Sequence, residues 1–214
     1  AATDCTFLVD LAEGKKSLPD PPIASIGYQA SIVITPQQEA DMDIKATLNN
    51  LLIPYTSNYA GTLLPGIREY TVTPGEKTTT ISGKGKAGLK QEENYYFFYL
   101  PVCYKGITGK SYAYYNTSRS KNLYLPASVD ENYSYDIQLP ENLTLCTPIQ
   151  EKKIDNPIGS FKITLTSEGS SLHIELALQI KKQLITPAEY PAFRSLITEW
   201  TDRTRKPILF KTVQ

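Results

Sequence analysis

The sequence predicts an all-β fold, an antiparallel β-sandwich with one C-terminal amphipathic helix, on three observations. From Asn132 to Val213, apolar residues fall on alternate positions in run after run, as in strands with one face buried and the other wet. Turn formers, among them 15 Pro and 12 Gly in the chain, break those runs at short intervals. Three-and-four spacing of apolar residues is clear in one stretch only, after Ile185. With 214 residues and 41% hydrophobic content, the chain can close a sizeable core without crosslinks.

Residues 1–22 pass from a short apolar piece, Phe7 to Val9, to the Pro19, Pro21, Pro22 cluster, and read as a connector. Residues 23–214 form the sandwich domain, with two sub-layers dividing near 90–100. Ile26, Tyr28, Ala30, Ile32 and Ile34 alternate, Pro36 to Asp41 turn the chain, and Met42, Ile44, Ala46 and Leu48 alternate back. Asn49 to Gly66 has no such pattern and reads as a long crossing loop. A further hairpin is expected on either side of Pro74-Gly75, where Thr78 to Thr80 suit the pleat. The glycines from Gly83 to Gly88 then read as a hairpin loop. Tyr95 to Leu100 is an unbroken aromatic and apolar run, predicting a central strand covered on both sides.

Tyr133, Tyr135, Ile137 and Leu139 share one parity of the next strand, which Pro140 closes. Phe161, Ile163 and Leu165 repeat the pattern, a Ser-Glu-Gly-Ser-Ser turn follows, and Leu172 to Ile180 answer it. Thr186 and Glu189 have the spacing of a capping box, and Tyr190, Phe193, Ile197 and Trp200 make one apolar helix face. Pro191 removes a donor early in that helix, so a tight first turn is expected, with regular helix from Pro191 to Thr204. Ile208 to Val213 reads as a closing edge strand.

Twenty-two basic and 22 acidic residues cancel, leaving no overall field to draw nucleic acid or an anionic membrane. No apolar run approaches the ~20 residues that cross a bilayer. Cys5, Cys103 and Cys146 are too widely spaced for a zinc site. Cys103 and Cys146 read as small apolar side chains beside strands, with a bridge between them left open. His173, the one histidine, lies on the parity opposite Leu172 and Ile174 and is expected to face solvent with Glu175 nearly 7 Å along the strand. Glu92-Glu93, Asp130-Glu131, Glu151 and Asp155 are expected as solvated surface charge. Nothing pairs a nucleophile with a base and an orienting acid, so no enzyme activity, cofactor or metal is expected. Tyr112, Tyr114 and Tyr115 adjoin polar residues, and are the candidate binding residues for a glycan or peptide.

Tyr95-Tyr96-Phe97-Phe98-Tyr99-Leu100-Pro101, Tyr133 to Glu141, and Ile185-Thr186-Pro187-Ala188-Glu189-Tyr190 through Phe193-Arg194 carry a family resemblance. Residues 90 to 214 closely, and 23 to 89 loosely, resemble domain of unknown function 3858, the β domain that follows the transglutaminase-like core of certain bacterial cell-envelope proteins. The catalytic set of such proteins lies in the preceding core, and none of it matches here. The resemblance implies a non-catalytic accessory domain, periplasmic or envelope-associated, whose partner is the neighbouring transglutaminase-like domain of a longer protein.

Overall fold

The computed structural model describes residues 22–213, apart from 38, 50–51, 53–62, 105 and 108–117. The described strands are β1 (Ile23–Ile34), β2 (Glu39–Asn49), β3 (Ile67–Pro74), β4 (Thr78–Gly88), β5 (Lys90–Glu92), β6 (Tyr95–Phe98) and β7 (Leu123–Tyr124). Then come β8 (Ser128–Gln138), β9 (Leu143–Leu145), β10 (Gln150–Asn156), β11 (Gly159–Glu168), β12 (Ser171–Ile180) and β13 (Leu184–Ile185). Helix α1 (Tyr190–Arg205) and β14 (Ile208–Thr212) follow. Eight strands form one sheet in the order β10-β11-β12-β8-β1-β2-β4-β3, and four form a second in the order β5-β6-β14-β9. β7 and β13 pair separately. The all-β expectation holds, with one refinement: in the large sheet β1 runs parallel to β8, and every other pair is antiparallel. A parallel pair needs a crossover between its strands, and the chain between these two includes β5 and β6.

Alternation sets the two faces of the large sheet. Tyr28, Tyr133 and Leu176 sit side by side in register, as do Ala30, Tyr135 and Ile174, and all are buried. Over this face lies α1, which buries Tyr190, Phe193, Leu196, Ile197 and Trp200. The Trp200 ring lies 5.6 Å from that of Tyr133 and 6.4 Å from that of Phe161, nearly perpendicular to the latter at 84°. Tyr96, Phe98 and Phe210 of the small sheet join the same apolar cluster. The Tyr135 hydroxyl reaches the Pro101 carbonyl at 2.7 Å, tying the segment after β6 to the large sheet.

Several local expectations are corrected. β6 is internal to its sheet but covered on one side only: Tyr96 and Phe98 are buried while Tyr95 is 44% exposed, so a run of aromatics is not a doubly covered strand. β14 lies between β6 and β9 and is no edge. Gly83 and Gly85 belong to β4 and lie opposite a bulge of β3 between Ile67 and Glu69. An added Cβ at Gly83 would stand 2.1 Å from the Glu69 carbonyl, so glycine there answers crowding rather than a turn.

The helix start confirms the tight turn and alters the cap. The Thr186 amide donates to the Glu189 carboxylate at 3.1 Å, the return half of a capping box. The Glu189 amide, however, donates to the Thr186 carbonyl at 3.1 Å. The Thr186 hydroxyl is thereby left to donate to the carboxylate at 3.0 Å instead of accepting from the backbone.

Candidate functional site on the open face of the large sheet

The face turned away from the core is mostly polar, with Ile23 and Val33 as exposed apolar exceptions on β1. In register across it run Lys162, Ala177, Asn132, Gly27 and Thr47. The next row is Thr164, Glu175, Ser134, Gln29 and Lys45, and the row after it Thr166, His173, Asp136, Ser31, Asp43 and Lys84. Apart from Gln29, the central strands β8 and β1 present short residues in these rows, and the long charged ones, Lys162, Glu175, Lys45 and Lys84, stand on β11, β12, β2 and β4. A trough follows from side-chain length alone. Its depressions include one of about 480 Å³ lined by Gly27, Gln29, Lys45, Asn132, Ser134 and Lys162. Another, of about 560 Å³, is lined by Ser31, Asp136, Gln138, Thr166 and His173.

His173 faces solvent, as its parity predicts, but it is held. Its Nδ1 lies 2.7 Å from Asp136 Oδ1, directly across the β12–β8 pair. Its Nε2 lies 3.5 Å from Glu175 Oε1. The strand repeat separates the two backbone positions by nearly 7 Å, and two flexible side chains close that gap. Glu175 continues to Lys162 at 3.6 Å. The carboxylate of Asp136, hydrogen-bonded to the ring, holds the His173 pKa above its ordinary value against a smaller opposing effect of burial, and Glu175 adds to the rise. A carboxylate at each nitrogen thus stabilises the imidazolium relative to the neutral ring.

Glu131 is the acidic residue for which the surface expectation fails. It is 2% exposed, on the parity of Tyr133 and Tyr135. Its carboxylate accepts the Ile107 amide and, at 3.2 Å, the Tyr133 hydroxyl. Gly106 lets the loop approach, since a Cβ there would stand 2.5 Å from the carboxylate. Burial, with the Glu131 charge beside it, pushes the Tyr133 phenol well above its ordinary pKa. The same parity rule that buries the tyrosines could have found Glu131. Cys103 is buried in the core and Cys146 half-buried, and no disulfide joins them, so the bridge left open by the sequence does not form. Cys5 and the three candidate binding residues Tyr112, Tyr114 and Tyr115 lie outside the described residues. Among the described residues no group of three or more His, Cys, Asp or Glu is placed to hold a metal ion, and no helix is long and apolar enough to cross a membrane.

Fold and face together define an all-β domain with a helix packed on one side of a large sheet and a broad polar trough on the other. Residues 94–210 match the family described as "Domain of Unknown Function with solved-structure structure (DUF3858)", and the chain belongs to that family. Among solved structures it is similar to a crystal structure from Parabacteroides distasonis ATCC 8503 whose printed name is "putative protease", at 24% identity and a TM-score of 0.50. The likeness covers 80% of this chain and 35% of that one, so the chain spans about a third of that protein's length; at this identity the likeness shows the fold alone. No curated protein matches the sequence.

Proposed function

We propose that the chain is a non-catalytic accessory domain of a longer bacterial envelope or periplasmic protein, positioning or stabilising a transglutaminase-like neighbour. The observation that carries this reading is the setting of its one histidine: it lies on an open sheet face with both ring nitrogens turned to carboxylates, and among the described residues no Ser, Thr or Cys is hydrogen-bonded to it. The other nucleophile-type side chain with unusual surroundings, Cys103, is sealed in the core. The structural relative is about three times as long as the part matched, which accords with a domain that works beside others.

The test is to express the longer protein with and without this domain and to measure its melting temperature and hydrolytic or acyl-transfer activity. Deletion is expected to lower either quantity, while His173→Ala and Cys146→Ala in the intact protein leave activity unchanged. Activity in the isolated chain that His173→Ala abolishes would refute the reading. A second reading, a glycan- or peptide-binding module, is favoured by the trough over β8 and β1, whose floor of short polar residues could take an extended ligand.

A further inference from the structure

Gly27 sits at the centre of the trough, and nothing in the fold requires it. Other glycines inside strands answer crowding, Gly88 at the last position of β4 excepted: an added Cβ would stand 2.6 Å from the Gly66 carbonyl at Gly85 and 1.8 Å from the Gln179 carbonyl at Gly159. At Gly27 the nearest heavy atom to such a Cβ is the Thr47 carbonyl oxygen at 4.0 Å, and the backbone is not left-handed. A glycine inside a strand loosens the chain and packs against nothing, so its place here calls for another cause. Close approach of an external molecule is such a cause. The residues beside Gly27 support it: Ala177 and Asn132 continue the low row, and Ser134 and Gln29 form the next.

The lining states the chemistry of the occupant. Gln29 and Asn132 carry amides that donate and accept as a peptide group does, and Ser134 and Thr47 can do either. The charges facing the depression are Lys45, Lys162 and Glu175. Lys162 is met by Glu175 at 3.6 Å, whereas Lys45 has no ion-pair partner among the described residues, so the depression carries one unmatched positive charge. Tyr28, Tyr133 and Leu176 contribute backbone to the floor while their side chains are buried, so among the described residues that line it no aromatic face is offered on which a sugar ring could stack. We propose that the depression over Gly27 binds an extended peptide segment bearing a carboxylate, with the peptide backbone lying close over Gly27 and the carboxylate at Lys45. This rests on the binding-module reading and is independent of the accessory one.

The experiment titrates the nitrogen-15-labelled chain with a blocked octapeptide of alternating Thr and Glu, with its Thr-Lys counterpart, and with a chitin hexasaccharide. Binding of the Thr-Glu peptide is expected to move the amide signals of Gly27, Gln29, Lys45, Asn132 and Ser134. Gly27→Val, which places a branched side chain where there is room for it, is expected to weaken that binding about tenfold while leaving the melting temperature equal or higher. Gly27→Ala should do the same to a lesser degree, and serves if the valine variant folds poorly. Lys45→Glu should weaken binding and Lys45→Arg restore it. Shifts at these amides with the saccharide alone would overturn the peptide proposal and leave a binding module standing. No shift with any ligand, or peptide affinity unmoved by both Gly27 variants, would sink the proposal.

Discussion

Along β8, Glu131 and Asp136 are five residues apart and face opposite ways. Glu131 is 2% exposed against Tyr133 and the Gly106-Ile107 backbone, while the Asp136 side chain is 73% exposed beside His173. Both are acids on one strand of one sheet. What separates them is what their bonds replace: hydrogen bonds to Asp136 exchange with water at little net gain, whereas the Ile107 amide and the buried Tyr133 hydroxyl have no other acceptor among the described residues. A charged side chain is therefore structural on the core face and adjustable on the open one, and a binding surface is free to evolve only where the second condition holds.

The largest test of that contrast is the core itself. Trp200→Ala, which empties the space between Tyr133 and Phe161, should cost about 3–5 kcal/mol in urea unfolding, enough to leave little folded protein if the domain has ordinary stability. Next comes Glu131→Ala, which leaves the Ile107 amide and the Tyr133 hydroxyl without this acceptor and should cost about 1–3 kcal/mol. Glu131→Gln keeps an acceptor and should lose less. Equal losses from the two Glu131 variants would mean that the carboxylate's charge, not its hydrogen bonding, holds the loop.

Much of this arrangement is legible in the sequence, and the reason is locality. Burial of Tyr133, Tyr135 and Ile137, or of Phe193, Ile197 and Trp200, depends on repeat spacing within one element, and the structure follows it. Glu131 obeys the same parity, but residue type argued for the surface and the pattern was the better guide. Pairing across the sheet is a different matter. That β8 lies parallel to β1, that Asp136 stands opposite His173, and that β14 enters between β6 and β9 depend on how distant segments meet. The trough shares that origin, since Gly27 and Asn132 become neighbours only through the β1–β8 pairing. No spacing in the chain announces it.

Two titrations sharpen the contrast at its weaker end. Glu189, bonded to Lys182 and to the Thr186 amide and hydroxyl, has its pKa lowered to about 2, with the Lys182 contact the largest cause. Its contribution to stability is therefore present above the ordinary carboxylate pKa and lost as pH falls through about 2; Glu189→Gln should flatten that acid limb of the thermal unfolding profile. His173 runs the other way. Its pKa is raised in the fold, chiefly by Asp136, so its contribution is complete below the unfolded value of 6.5 and disappears as pH rises through the folded one. Because the ring is 41% exposed, solvent screens the pair, and His173→Gln should change stability by less than about 1 kcal/mol at acidic pH. At alkaline pH the variant and the parent should unfold together. A loss that persists there would mean that His173 supports the sheet by packing, and the open face would then share the rigidity of the core it backs.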